Sequence, residues 1–418
     1  MQEKWVYSTQ CRGIGGRIKR RYSDFVVEEK RENRLCRARA FVGECLAGET
    51  IEVPEKCSEY LHLDLEKINK DLHSALRLIA RHLHVSKKRI GYAGLKDKRA
   101  VTCQRISIWE PEKSLVESFR AKGIRLREPA WSSEKIDLGM LVGNRFTIKI
   151  RDIDLEREEI EKRAKACFEE MEKGIANFFG EQRFGGIRAV SHLVGREIVR
   201  GNLENAVMLY LTAASEFEEE DIREARLNLA KTGNFRVALK EFPPKYRYER
   251  AMLNALCSSN NNFSEALRAL PTRLRFLFTH AYQAWLFNKI LKQRLKEGIG
   301  LNTVDEEPQL DGIPLGLLPG FESYYSPGRI GMIEREVMEK EGISFADFKL
   351  STLKECSSKG ARRKIAVKPE KMELLEVGND DFFEGKRYCT VRFELEKGAY
   401  ATVVLRELTK NPNLNLLN

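Results

Sequence analysis

One stretch concentrates residue types that could do chemistry: Gly91-Tyr92-Ala93-Gly94-Leu95-Lys96-Asp97-Lys98-Arg99-Ala100-Val101-Thr102-Cys103-Gln104. Asp97 is fenced by Lys96, Lys98 and Arg99. Neighbouring cations favour the ionised form of a carboxylate, which suits a nucleophile or a counter-charge for a developing cation. Gly91 and Gly94 carry no Cβ, so the backbone can turn tightly or approach a ligand there. The same residues would equally make a basic turn with a locally paired Asp, since surface charge clusters are usually just solvated. A second cluster, Arg12-Gly13-Ile14-Gly15-Gly16-Arg17-Ile18-Lys19-Arg20-Arg21, is glycine-rich and basic. It lacks the Lys-Ser/Thr ending of a P-loop and the helical pattern of a dinucleotide fold, so it reads as an arm or turn that meets phosphate. A third, Ala176-Asn177-Phe178-Phe179-Gly180-Glu181-Gln182-Arg183-Phe184-Gly185-Gly186, mixes aromatics, an arginine and glycines. That mixture suits stacking on bases and gripping phosphate, or packing as an aromatic loop on a core.

The elements around Asp97 follow from periodicity. Asp24-Phe25-Val26-Val27-Glu28-Glu29 has the β-branched and aromatic content of a strand. Leucines alternate with polar residues over Tyr60–Glu66, a second strand. Ile68, Leu72, Leu76, Ile79 and Leu83 recur at helical spacing, with Lys70, Arg77 and Arg81 on the other face. A strand over Gln104–Trp109 leaves the glycine motif, so Asp97 falls on a loop between a helix and a strand, where a rigid scaffold places reactive residues. Val142–Ile150 alternates as a further strand. Asp154 is the expected cap of a helix with Glu156, Glu158 and Glu159 in its first turn and Gly174 at its end. Helical patterns dominate from about residue 188 to Gly298, including Glu219–Lys231 and Arg275–Lys296. Strand patterns return at Val391–Leu395 and again over Tyr400–Arg406. Strands at both ends of the chain with a helix-rich middle argue for an α+β core completed after an inserted domain. The expected layout is a core over 1–187, a mainly helical insert over 188–360 and the rest of the core over 361–418.

Composition narrows the partners. The chain has 418 residues and a formal charge of +11, long enough for two cores. Residues 1–110 hold 23 Lys/Arg against 15 Asp/Glu, a net of +8. That excess favours a polyanion, and no lipidation signal or amphipathic anchor points to membrane, so nucleic acid leads. Nine cysteines are scattered without a Cys-x-x-Cys, and six histidines complete no ligand set. This reads as free thiols in a reducing compartment with no metal site. No apolar targeting segment or membrane span is visible. The expectation is a cytoplasmic protein with no membrane and no obligate protein partner.

Six segments in order carry a resemblance: Gly-Arg-Ile-Lys then Asp-Phe-Val-Val-Glu-Glu (16–29), Ala-Gly-Leu-Lys-Asp-Lys-Arg-Ala-Val-Thr-Cys-Gln (93–104), Gly-Asn-Arg-Phe (143–146), Asn-Phe-Phe-Gly-Glu-Gln-Arg-Phe-Gly (177–185), Trp-Leu-Phe-Asn (285–288) and Lys-Gly-Ala-Tyr-Ala-Thr-Val-Val-Leu-Arg-Glu (397–407). Together they resemble the TruD-type tRNA pseudouridine synthases, in the layout of the archaeal and eukaryotic branch. The resemblance implies a pseudouridine synthase-like α+β core, with a central mixed, largely antiparallel sheet flanked by helices, plus the helix-rich insert. It implies isomerisation of a tRNA uridine, position 13 in the best-known members, with neither metal nor redox cofactor. The C1′–N1 bond breaks, the uracil turns, and the ring rejoins through C5. Asp97 is then the essential carboxylate, attacking C1′ or taking a sugar proton to give a glycal. Phe146 matches the stacking aromatic that holds a flipped-out base. Asn144, on the same strand face, is placed to hydrogen-bond near Asp97. Lys19 and Lys96 compete to be the cation that keeps Asp97 charged, and Glu29 takes a hydrogen-bonding role. Arg20, Arg21, Lys98 and Arg99 are expected at phosphates, and Gln104, Gln182, Arg183 and Phe184 on RNA. Three positions depart from the family pattern: Tyr22 for a proline, Ala176-Asn177-Phe178 for Pro-Asn-Tyr, and Leu72 for a threonine opening the basic helix. The alternatives are a catalytically silent RNA-binding protein or chaperone, or another tRNA-modifying enzyme.

Overall fold

A computed structural model describes residues 5–39, 50–304, 306–411 and 414. The chain forms two compact units, Met1–Ile175 with Val367–Asn418, and Ala176–Ala366. These breaks differ from the 187/188 and 360/361 expected from composition. Hydrogen bonds explain the shift. Asn177 donates from its main chain to Ile365 (2.7 Å) and from its side chain to Lys364 (2.9 Å), and Phe179 N–H donates to Asn288 (2.9 Å). The aromatic-glycine run and the strand Ala361–Lys364 therefore belong with the helices between them.

The first unit is built on a nine-stranded sheet. Its N-terminal strands are β1 (Phe25–Arg31), β2 (Arg34–Leu35), β3 (Tyr60–Ile68), β4 (Ile90–Tyr92), β5 (Val101–Trp109), β6 (Ile124–Ser132) and β7 (Gly143–Ile153). Two C-terminal strands, Glu370–Asn379 and Arg387–Glu396, complete it beside β7. The path from those strands runs β7, β1, β5, β3, β6, with β2 paired to β1 and β4 to β5. The β1–β5 pair is parallel; the other pairs along this path are antiparallel. This is the mixed, largely antiparallel sheet expected, flanked by helices.

Register fixes what each face carries, because directly opposed residues project to the same side. Phe393, Phe146, Val27, Thr102 and Lys67 form one row across five strands. Glu29 lies opposite Asn144 one pleat further on the same face. Helix α1 (Leu72–His82) covers the β3 end of this face, Leu72, Leu76 and Ile79 packing with Leu61, Leu63 and Leu65. The opposite face is charged and buried, with Arg145–Glu28 (2.6 Å), Arg105–Asp64 (2.9 Å) and Arg127–Glu66 (3.3 Å).

Several expectations change. Residues 401–406 are not a strand but part of a helix, Ala401–Thr409, buried at every position. A short continuous apolar run has no period to distinguish strand from buried helix. The last carbonyls of this helix, Leu408 and Thr409, accept from Ile14 and Gly15 (both 3.0 Å), so its terminus is satisfied inside the core. Ile68 ends β3 instead of opening α1, and Asp71 caps α1 by accepting from Ser74 N–H (2.9 Å). The leucine at 72 thus costs the helix no cap. Helix α2 (Arg157–Met171) starts after Glu156, and Asp154 instead pairs with Lys386 (3.0 Å). Cys11 and Cys167 form a disulfide, Cα atoms 5.3 Å apart, where free thiols were expected. The N-terminal segment runs along α2, Gln10 N–H donating to Glu170 (2.7 Å) and Arg163 to the Gly13 carbonyl (3.0 Å). That brings together two cysteines too far apart in sequence to suggest a pair.

The second unit is mainly helical. Its longest helix, Thr272–Lys296, covers the expected 275–296 span, and Glu220–Thr232 matches the expected 219–231 to within one residue at each end. Val194, Ile198, Val207, Leu229, Leu253 and Phe278 share one of its cores. A small sheet of Gln309–Leu310, Ile313–Leu318 and Ala361–Lys364 adds to it. Among the described residues no helix is long and apolar enough to cross a membrane.

Candidate active site

Asp97 lies on the loop between β4 and β5, over the sheet face carrying Phe146 and Lys67. The loop is pinned at several points. Gln104 Nε2 donates to the Gly94 carbonyl (2.9 Å), Gly139 N–H to the Ala93 carbonyl (2.8 Å) and Lys67 Nζ to the Asp97 carbonyl (2.7 Å). The glycines have a different use from the one expected. A Cβ on Gly91 would lie 2.2 Å from the Ile136 carbonyl oxygen, so this glycine admits the backbone of the segment between β6 and β7, not a ligand. A Cβ on Gly94 would meet nothing closer than Leu141 at 3.6 Å.

The competition between two lysines is resolved by geometry. Lys19 Nζ donates to the Asp97 carboxylate at 2.9 Å, with side-chain exposures of 14% and 19%. Lys96 turns inward and pairs with Glu29 at 2.7 Å, essentially without exposure. Lys19 sits at φ +59, a backbone conformation uncommon outside glycine. Gly15 and Gly16 also have positive φ, and Arg17 exchanges main-chain hydrogen bonds with Arg151 (2.7 and 2.8 Å). The basic segment is thereby threaded so that Lys19 points at Asp97. Strained backbone retained at one residue is a mark of sites whose surroundings over-determine it.

Aromatic rings extend the cluster. The Lys19 ammonium lies 4.0 Å from the centroid of Phe25, whose ring meets Phe146 edge-on at 6.2 Å. Phe146 in turn stacks on Phe393 at 5.6 Å. Phe146 is nearly buried and rigidly backed. Asn144 Oδ1, Gln104 Oε1 and Thr102 Oγ1 are buried on this face without a hydrogen-bond partner among the described residues. Buried polar atoms left unpaired are rare and call for an explanation.

The remaining expected residues divide. Lys98 and Arg99 are exposed, Arg99 reaching the Arg20 carbonyl (3.0 Å). Arg20 lies over the Phe383 ring at 5.2 Å. Arg21 is held by Asp381 (2.6 Å), and the Arg151 and Arg21 guanidiniums draw that carboxyl down to about 2. Gln104 is fully buried, so its expected contact with RNA gives way to holding the loop from beneath. Gln182, Arg183 and Phe184 belong to the second unit, where Arg183 lies over Phe179 (5.6 Å) and Phe184 edges His192 (5.2 Å). Phe178, whose missing hydroxyl departs from the family pattern, is a buried packing residue. Among the described residues no three His, Cys, Asp or Glu side chains are grouped to hold a metal ion.

The family model for tRNA pseudouridine synthase D (TruD) matches residues 3–310 and 306–408. The chain belongs to the TruD family. A relative from Methanococcoides burtonii, described as a probable tRNA pseudouridine synthase D, is 35% identical over 97% of this chain and 95% of its own. One from Methanosarcina mazei, described in the same words, is 36% identical over 97% and 96%. A crystal structure of a TruD protein from Methanosarcina mazei superposes with a TM-score of 0.77 at 34% identity, covering 99% of this chain and 97% of that one. The relatives are archaeal, in keeping with the archaeal and eukaryotic-type layout. TruD enzymes are isomerases that convert uridine in tRNA to pseudouridine.

Within this TruD chain the sequence reading missed Lys67, Phe25 and Phe393 as parts of the cluster. Lys67 had a signal: it follows Leu61, Leu63 and Leu65 at period two, which puts an ammonium on the apolar side of a strand.

Proposed function

We propose that this chain isomerises a uridine of tRNA to pseudouridine, with Asp97 as the carboxylate that acts on the ribose and position 13 as the target. The observation that carries the assignment of Asp97 is its ion pair with Lys19 over the sheet face of Phe146 and Asn144. An ionised carboxylate there can add to C1′ as the C1′–N1 bond breaks, or take the 2′ proton, and in either route the Lys19 ammonium fixes its position from 2.9 Å away. The detached uracil then turns about its N3–C6 axis, which exchanges N1 with C5. C5 joins C1′, the C5 proton leaves, and N1 takes up a proton, so the product is an isomer. Phe146, backed by Phe393 and edged by Phe25, supplies a fixed aromatic floor for the base. Asn144 Oδ1 is an acceptor held in reserve for a base N–H. Lys98, Arg99 and Arg20 contact phosphates and set the register of the RNA. Gln182, Arg183 and Phe184 are proposed RNA contacts of the second unit. The chain is proposed to work in the cytoplasm.

Chemical mapping of pseudouridine in transcribed tRNAs incubated with the protein tests activity, substrate and position together. Asp97→Asn is expected to reduce product formation by at least about 1,000-fold while tRNA affinity stays within about threefold. Full activity in that variant would remove Asp97 from the chemistry.

A further inference from the structure

We propose that Lys67 is a positioning residue for Asp97: its buried ammonium holds the main chain of the catalytic loop and supplies positive charge beneath the carboxylate. This rests on the reading of Asp97 given above.

Two amines converge on one aspartate. Lys19 engages its carboxylate at 2.9 Å, whereas Lys67 Nζ donates to its main-chain carbonyl at 2.7 Å. Lys67 has no exposure and ranks among the largest fully buried side chains of the protein. Leu61, Leu63 and Leu65 precede it on the same face, so an apolar residue would suit the packing better than a cation. Burying an ammonium is costly unless it is paired, yet no carboxylate oxygen lies within salt-bridge reach among the described residues. A neutral amide could satisfy the Asp97 carbonyl equally well. What a lysine adds is charge.

The surroundings set how firmly that charge is held. Burial pulls the Lys67 ammonium down to about 8, opposed by Asp97 on the loop and Asp71 at the cap of α1, and assisted by Lys96. Its register neighbours, Thr102 on β5 and Ile124 on β6, are neutral. Lys67 is therefore mostly charged at neutral pH and loses its proton just above. A neutral amine still donates to the Asp97 carbonyl, so deprotonation removes the charge and leaves the tether. Stability moves the other way. The ordinary value of 10.5 exceeds the folded value of about 8, so the unfolded chain binds this proton more tightly. The contribution of Lys67 to stability then rises as pH climbs through that window. A falling rate there cannot be unfolding driven by this group.

The test is the single-turnover rate on saturating tRNA between about pH 6 and 9.5, for the wild type, Lys67→Met and Lys67→Arg, with tRNA affinity measured alongside. The wild-type rate is expected to fall about tenfold for each pH unit above about 8. Lys67→Met should turn over at least about 30-fold more slowly at pH 7, without the alkaline limb and with affinity within about threefold. Lys67→Arg, charged throughout, should recover most of the rate and also lack the limb. A flat wild-type profile overturns the proposal, and so does a Lys67→Met rate within about threefold of wild type. The wild-type profile decides even where a variant does not fold. Inactive Asp97→Asn beside unaffected Lys67→Met would sink only the role of Lys67, whereas active Asp97→Asn would sink the underlying reading.

Discussion

Both units bury charge, and the catalytic face of the first buries it differently from the second. In the second unit Arg294 grips Glu307 with two nitrogens (2.6 and 2.8 Å), and Arg226 bridges Glu218 (3.2 Å) and Glu249 (2.9 Å). Each guanidinium nitrogen has an acceptor, main-chain carbonyls of Tyr210, Leu211, Gly300 and Asn302 taking the rest. These pairs join neighbouring segments of one unit, and the fixed planar fork of a guanidinium suits such bidentate gripping. In the first unit the buried cations on the catalytic face are lysines, gathered around an aspartate that keeps 19% of its side chain exposed. A forked, saturated guanidinium is a rivet. A lysine is a point charge that can lose its proton, placed against a group left open to a substrate. Buried charge alone therefore does not mark a site; its type and the openness of its partner do.

Breaking a rivet should damage the fold and spare the chemistry. Arg294→Met leaves Glu307 buried and unpaired, and should cost about 3–5 kcal/mol of stability in denaturant titrations. The rate constant of the folded fraction should stay within about twofold. Lys19→Met makes the opposite claim. Its exposure is modest and its pairing partly solvated, so stability should change by about 1 kcal/mol or less. Product formation should nonetheless fall about 100-fold, equivalent to about 2.7 kcal/mol of lost transition-state stabilisation. Equal stability losses in the two variants, or an undiminished rate in Lys19→Met, would erase the distinction.

What the sequence disclosed about these regions depended on whether a signal was local. The strand of Phe25–Glu29, the helix of α1 and the placement of Asp97 on a loop are short-range patterns, and the structure holds all three. The partner of Asp97 was not local. Lys96 is its sequence neighbour, but the residue before a carboxylate on a turning loop projects elsewhere, and here it reaches Glu29. Lys19 arrives from a segment bent by two glycines and its own positive φ, which no spacing rule predicts. Lys67 is legible in the alternation of β3, but Ile68 also fits the helical period of α1, which hides the end of the strand. Tyr400–Arg406 failed for the converse reason, an apolar run buried all round that has no polar face to show its period.

A third kind of cation completes the comparison. Lys98, directly after Asp97, is exposed and has no ion pair among the described residues. It neither rivets the fold nor touches the carboxylate, so its expected work is neutralising a phosphate. Each neutralised phosphate releases counterions, and removing one such contact should flatten the slope of log affinity against log salt by about 0.7–0.9. Lys98→Ala should therefore shift tRNA affinity modestly at physiological salt and more at low salt. At saturating tRNA its single-turnover rate should stay within about twofold of wild type, because no reacting atom loses a partner. Binding measured across a salt series reads the slope directly. An unchanged slope would take Lys98 off the RNA, and a rate loss like that of Lys19→Met would mean that charge outside the pocket reaches the chemistry as strongly as charge buried within it.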